Sequence, residues 1–154
     1  MVPDSAETII KAEMNDLQEI LDLQHLAYQS EAALFGRQDI QPLTETLEEL
    51  IEEYNAGTVL KMTDENGKII GSVRAREEDG TVYIGKLMVH PDHRRKGYGK
   101  KLVTGIEGYY PGKRYELFTS TRSVNNISMY ESLVYKQFDV RHADGEINFV
   151  YLEK

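Results

Sequence analysis

Apolar positions in this chain recur with two different periods. Leu17, Ile20, Leu21, Gln24 and Tyr28 lie three to four positions apart, with Leu23 and Leu26 flanking. That spacing predicts an amphipathic helix, with Asp16 as its candidate cap. A second helical stripe carries Leu47, Leu50, Ile51 and Tyr54; Thr44 is its candidate cap and Gly57 its stop. Between the two, residues 36–42 (GRQDIQP) read as a loop, and residues 8–12 (TIIKA) as a short first strand. From residue 58 the period shortens to two. Residues 58–63 alternate, and in residues 68–76 Ile70, Ser72 and Arg74 share one face while Ile69, Gly71, Val73 and Ala75 share the other. Asn66-Gly67 and Asp79-Gly80 mark the turns of an antiparallel meander.

The third strand of the meander runs through Tyr83, Ile84, Leu87, Met88 and Val89 and stops at Pro91-Asp92. Leu102, Val103 and Ile106 then return to helical spacing, and Pro111-Gly112 ends that element. Residues 114–119 (RYELFT) form a strand, so the crossover from residues 83–89 makes a parallel βαβ unit. Ser123 is the candidate cap of a last helix striped by Ile127, Tyr130, Leu133 and Val134. Residues 137–141 and 147–152 make a closing hairpin over residues 143–146. The order β-α-α-β-β-β-α-β-α-β-β predicts an α/β fold with a mixed sheet in one domain spanning 1–154.

Composition removes several function classes. With 26 acidic residues against 18 basic ones, the net charge of -8 repels nucleic acid over most of the surface. The chain has no cysteine, which excludes disulfides, thiolate metal sites and a cysteine nucleophile. No His/Asp/Glu grouping has metal-ligand spacing, so no metal is expected. No apolar run of about 18 residues is present, and MVPDSAETII lacks the features of a signal peptide. The expectation is a cytoplasmic protein without a membrane partner.

Against that acidic background, Arg94, Arg95, Lys96, Lys100 and Lys101 surround Gly97 and Gly99 at a predicted helix start. A helix start has unpaired N–H groups and partial positive charge, and glycines let a ligand reach the bare backbone. The stretch suits a di-anion such as pyrophosphate. A solvated basic turn is the other reading that these residues allow. The run is not a P-loop, because Lys101 stands where that motif needs Ser or Thr; nor is it a dinucleotide fingerprint, because position 102 is Leu.

Arg94-x-x-Gly97-x-Gly99, after Leu87-Met88-Val89-His90-Pro91, resembles the acetyl-CoA-binding motif Arg/Gln-x-x-Gly-x-Gly/Ala of the GCN5-related N-acetyltransferases (GNAT). Asn126-Ile127-Ser128-Met129-Tyr130-Glu131-Ser132-Leu133-Val134-Tyr135 resembles that family's later signature, N-I-x-L-Y-E-K-L-G-Y. The resemblance runs from about residue 8 to the end of the sequence. It implies a GNAT-type mixed sheet with splayed central strands, acetyl-CoA as co-substrate, and direct acetyl transfer to a primary amine within a ternary complex. It further implies that Leu87, Met88 and Val89 offer backbone groups to the pantetheine arm, with the Val89 N–H a candidate oxyanion donor. Arg95, Lys96, Gly97, Tyr98, Gly99 and Lys100 would hold the pyrophosphate, and Arg94 fills the motif's first position. Asn126 would bond to the pantetheine arm or to neighbouring backbone. Tyr130 matches the family's tyrosine aimed at the thioester sulfur, where a phenol of pKa about 10 can protonate a leaving thiolate. Spacing alone makes Tyr130 a core residue beside Ile127 and Leu133.

Two positions depart from the family's pattern. Tyr83 occupies the central-strand position at which the histone-modifying branch carries its glutamate base. Deprotonation of the acceptor would then fall to water or to another group, with Glu31, Glu77, Glu78 and His90 as candidates. Val134 stands where the signature has Gly; a branched residue takes the left-handed region poorly, so a different turn is expected there. The acidic second helix, with Glu45, Glu48, Glu49, Glu52 and Glu53, reads either as a solvated face or as a rim for a cationic amine. Tyr109, Tyr110 and Tyr151 are candidates for a homodimer face. Two alternatives stand beside the enzyme: a non-catalytic acyl-CoA-binding or regulatory module, and nucleic-acid binding through residues 93–101, which the acidic surface disfavours.

Overall fold

Alternating and helical periods resolve into one seven-stranded sheet, in the order β1-β2-β3-β4-β5-β7-β6. The computed structural model describes residues 8–154; residues 1–7, on which most of the signal-peptide reading falls, lie outside them. β1 (Thr8–Lys11), β2 (Thr58–Thr63), β3 (Ile69–Glu78) and β4 (Thr81–Val89) pair successively antiparallel. β5 (Arg114–Ser120) runs parallel to β4, across the helix of residues 98–107. β7 (Ile147–Glu153) lies antiparallel between β5 and β6 (Lys136–Asp144).

A short 3-10 turn (Met14–Asp16) and four α-helices, not the two predicted, join β1 to β2: α1 (Leu17–Ala27), α2 (Gln29–Phe35), the single turn α3 (Gln41–Thr44) and α4 (Leu47–Ala56). Pro42 enters the first turn of α3, where its missing N–H has no intrahelical partner to lose. Thr46, not Thr44, caps α4. Its Oγ1 accepts from the Glu49 N–H at 3.2 Å and the Glu49 carboxylate accepts from the Thr46 N–H at 2.9 Å, a reciprocal box that satisfies two orphan donors. Asp16 precedes α1 without capping it, because its carboxylate is held by the Glu13 N–H and by Lys61 at 2.7 Å.

α5 (Tyr98–Glu107) follows β4, and α6 (Val124–Ser132) follows β5. Leu102, Val103 and Ile106 of α5 and Tyr130 of α6 pack with Leu60, Val73 and Leu117. Leu17, Ile20 and Leu50 of α1 and α4 pack with Val59, Ile69 and Met88 in a second cluster. β3 therefore sits between two layers, and its residues 69–75 are buried on both faces.

The end of α6 corrects an expectation. Val134 does adopt the left-handed conformation, with φ 77°. The Tyr135 N–H bonds to the Tyr130 carbonyl at 3.1 Å and the Val134 N–H to the Glu131 carbonyl at 3.0 Å. These two bonds and the burial of Tyr135 hold the turn against the strain of a branched residue.

β4 and β5 pair only at Thr81–Arg114, Val82–Tyr115 and Tyr83–Glu116, and then part. Beyond that point β5 continues with β7 alone. The cause lies one strand away. Ser72 faces Met88 while Arg74 faces Gly85, so Lys86 and Leu87 share the single residue Val73. This bulge adds one residue to β4 and puts Lys86 at φ 51°. A bulge bends its strand and increases its twist, which carries the second half of β4 away from β5.

Candidate active site

The fork exposes one edge of β4. The His90 N–H donates to the Ile70 carbonyl of β3 at 2.7 Å, so even-numbered residues here turn their ladder groups towards β3. By alternation, Leu87 and Val89 turn theirs to the opposite edge, which β5 has left. Met88 is out of phase: its backbone pairs with Ser72 and its side chain is buried. Of the three strand residues expected to offer backbone groups, only Leu87 and Val89 have them on the open side. The Leu87 carbonyl is also already taken, accepting from the Tyr28 hydroxyl at 3.1 Å. Tyr28 was legible only as the end of the α1 stripe; nothing in the sequence tied it to a strand 59 residues away.

The glycine loop lies beside this edge. Arg95 (φ 65°) and Gly97 (φ 78°) are left-handed, and α5 starts directly afterwards. No side chain caps this helix start; its first bond runs from the Lys101 N–H to the Gly97 carbonyl at 3.2 Å. Among the described residues, no protein group accepts from the amides of Arg95, Lys96, Gly97, Gly99 or Lys100. Arg94 donates an Nη hydrogen to the Ala27 carbonyl at 2.8 Å, which braces the loop against the end of α1. The Lys96 and Lys101 ammonium groups stand 6.0 and 5.5 Å from the centre of the Tyr98 ring. A Cβ on Gly99 would meet Met129 of α6 at 3.5 Å and Leu87 of β4 at 3.7 Å, so loop, strand and helix converge there.

α6 supplies the other side of the fork. Tyr130 is buried, its ring centre 6.1 Å from that of Tyr135, and its hydroxyl has no hydrogen-bond partner among the described residues. Burial, and secondly the negative charge of Glu31, push its phenol above the usual tyrosine range. Tyr28 is raised for the same first reason, with Tyr130 and Glu31 adding to it. Asn126 Nδ2 reaches Thr119 Oγ1 of β5 at 3.5 Å. Ser123 heads α6, but its hydroxyl donates to Glu31 at 2.5 Å instead of capping the helix.

Across the fork opens a cleft of about 580 Å³, walled by β3 and β4 (Arg76, Tyr83, Lys86), α4 (Glu53) and β5 and β7 (Phe118, Tyr151). Beneath it lies a buried ion cluster. Arg74 Nη1 sits 3.1 Å from Glu45 and 2.7 Å from Glu53; its Nη2 donates to Gln24, whose own amide donates to Glu45 at 2.7 Å. Lys86 Nζ stands 3.6 Å from Glu45. Burial works to raise the Glu45 carboxyl, but hydrogen bonding with Glu53, the charge of Arg74 and the Gln24 amide outweigh it and hold it at about 2. Glu53 shifts upwards, first through burial and then through Glu45. An arginine alternating with Ile70 and Ser72 on a strand face, and the glutamate run that includes Glu45 and Glu53, were the sequence signals of this cluster, and nothing local tied the one to the other.

None of the four candidate bases lines this cleft. Glu77 pairs with Lys113 at 3.0 Å and Glu78 with Arg76 at 2.7 Å; Glu31 holds Ser123, and His90 Nδ1 accepts from the Asp92 N–H. The carboxylates that do line it are Glu52, Glu53 and Glu116, none of which was a candidate. Of the proposed dimer tyrosines, Tyr109 is exposed, whereas Tyr110 is half-buried with its hydroxyl 2.8 Å from Thr58, and Tyr151 lies under Arg141. Among the described residues no cluster of three or more His, Asp or Glu is placed to hold a metal ion, and no helix is long and apolar enough to cross a membrane.

Comparison with known proteins bears on this geometry. The family model described as "Acetyltransferase (GNAT) family" matches residues 17–134. Among curated proteins, the chain is 27% identical over 135 residues to UPF0157 protein YqkA of Bacillus subtilis (strain 168), covering 86% of this chain and 38% of that one. The chain thus spans well under half the length of that relative. Among solved structures, the ribosomal-protein-S18-alanine N-acetyltransferase from Escherichia coli superposes with a TM-score of 0.78 at 17% identity, covering 96% of this chain and 92% of that one. The PaiA N-acetyltransferase from Thermoplasma acidophilum, in complex with coenzyme A, gives 0.77 at 18% identity, over 94% and 97%. At such identities the likeness is one of fold.

Proposed function

This chain belongs to the GNAT acetyltransferase family, and from that membership we propose that it transfers an acetyl group from acetyl-CoA to a primary amine, on a small cationic molecule or a peptide. The observation that carries the reading is the row of unclaimed amides at the start of α5, beside the open edge of β4. Amides of residues 95–100 would hold the pyrophosphate, with Arg94 bracing their loop. The pantetheine arm would lie in the fork along Leu87 and Val89, with Asn126 on its far side. Binding energy from the distant phosphates then positions the thioester.

The amine attacks as the neutral base, so its ammonium form first gives up a proton, to water or to a carboxylate of the cleft. The nitrogen bonds to the thioester carbon and an N–H such as that of Val89 stabilises the oxyanion. The added nitrogen gives up its second proton to water or a cleft carboxylate, the C–S bond breaks, the sulfur leaves with the electron pair, and the Tyr130 hydroxyl donates to it a hydrogen bond or a proton that solvent then restores. The products are an amide and free coenzyme A. Residues 1–154 would form one such catalytic domain.

Calorimetric titration with acetyl-CoA tests the binding half, and release of free thiol across an amine panel tests the transfer. Saturable heat with thiol release supports the enzyme; no heat ends the proposal. Tyr83 in place of a strand carboxylate favours a second reading, a non-catalytic acyl-CoA-binding module. Heat without thiol release on any amine would support that one.

A further inference from the structure

The acceptor cleft is unevenly lined, and this bears on what fills it. Along its β5–β7 wall, Phe118 lies 4.9 Å from Phe149 and 5.2 Å from Tyr151. Phe118 is 50% exposed, although Leu117 and Thr119 on either side of it are buried. Bare aromatic surface is unfavourable in water, and no described helix or loop covers this ring. The cleft straddles the point where β4 and β5 part, so the exposed ring stands beside the fork in which the thioester would lie. Its volume of about 580 Å³ suits a small molecule.

The charges around it largely cancel. Arg74 pairs with Glu53, Arg76 with Glu78 and Lys86 with Glu45, while Glu116 is met by Arg114 at 2.9 Å. The acidic helix α4 therefore does not fill the cleft with negative charge. Glu45, which precedes α4, is turned inward, and Glu49 serves the cap. Among the described residues, Glu52 is the one lining carboxylate with no pairing group. A polyamine would need several such anions; a single ammonium needs one.

Resting on the transferase reading above, we infer that the acceptor is a monoamine carried on a flat aromatic body, which packs on the exposed surface of Phe118, beside Tyr151, with its amine towards the fork. This replaces the broad cationic rim that the run of glutamates suggested.

The test compares 2-phenylethylamine, butylamine and 1,4-diaminobutane as acceptors by thiol release, in the wild type, Phe118→Ala and Phe118→Leu. The expected result is a kcat/KM preference of about tenfold or more for 2-phenylethylamine over butylamine, one ring-stacking interaction's worth. Phe118→Ala should remove most of that ratio and Phe118→Leu part of it, with acetyl-CoA affinity unchanged. Equal use of butylamine, or preference for the diamine, overturns the inference. A second readout stands apart from turnover: broadening of the 2-phenylethylamine proton signals by wild-type protein without acetyl-CoA, and its loss in Phe118→Ala. If acetyl-CoA fails to bind, the transferase reading falls, yet that broadening would still establish the aromatic site. Its absence from the wild type would refute the site directly.

Discussion

Removing the guanidinium beneath the cleft, in Arg74→Met, should destabilise the fold severely. The Glu45 side chain has no exposed surface, and Arg74 Nη1 lies 3.1 Å from it. Without Arg74 that carboxylate keeps the Gln24 amide at 2.7 Å and Lys86 at 3.6 Å, with no access to water. Breaking a buried pair from one side costs about 3–5 kcal/mol. Lys86 compensates in part, so the lower end, about 3 kcal/mol, is expected. In a chain of this length that is a fall in Tm of about 6–12 °C. Arg74→Met combined with Glu45→Gln should recover more than half the loss, because no unpaired charge remains. The pH dependence gives an independent check. Glu45 is lowered from its ordinary 4.5 to about 2 in the folded state. Its contribution is therefore complete above pH 4.5 and lost as pH falls towards 2. Urea unfolding of wild type and Glu45→Gln across that window should show the difference at neutral pH and convergence in acid. An Arg74→Met protein within about 0.5 kcal/mol of wild type, or the same acid profile in Glu45→Gln, would refute the argument.

Three other substitutions probe separate parts of the molecule. Tyr130→Phe should lower kcat by about a hundredfold or more while leaving acetyl-CoA affinity intact, as followed by steady-state rates beside calorimetry; an unchanged kcat would return this residue to the core. Val134→Gly should raise stability by about 1 kcal/mol, because it relieves φ 77° at a site 66% exposed; an unmoved urea midpoint would mean that Val134 bears no strain. Gly57→Ala should cost about 3 kcal/mol, since its Cβ would stand 2.1 Å from the Ala75 carbonyl oxygen, and a thermal melt matching wild type would contradict that contact.

Regular spacing was readable wherever local rules decided the structure. The alternation in residues 58–63 and 68–76 places β2 and β3 directly, and the helical stripe through Leu102, Val103 and Ile106 places α5. The glycine loop and its position at a helix start were equally plain, because both are set within a few residues. Tertiary competition accounts for what was missed. Thr44 and Thr46 are equivalent as caps by type, and only the Glu49 carboxylate, returning to the Thr46 N–H, separates them. Asp16 and Ser123 precede their helices as good caps should, yet Lys61 and Glu31 claim their side chains from distant parts of the chain. Val134 shows the opposite case: a rule about branched residues was applied, and two backbone bonds with a buried Tyr135 overrode it.

The fork itself follows from a change of phase that the sequence does contain. Val82 and Ile84 face the cluster formed with α5, and so do Leu87 and Val89, while Met88 joins the cluster under α1. Inward positions thus pass from even to odd numbers between residues 84 and 87, and a strand of period two can do this only by inserting one residue. Lys86 is that residue, and its extra length has two effects at once. It draws the second half of β4 off β5, leaving the Leu87 and Val89 backbone on an open edge. It also sends an ammonium group over Glu45 and Glu53, tying the bulge to the buried arginine cluster beneath the cleft. The strained backbone at φ 51° and the ion cluster are therefore joined through the one residue, Lys86. The sheet's hydrogen-bonding rule is broken at the point where a thioester would need unpaired amides, and Lys86 ties that break to the charges below.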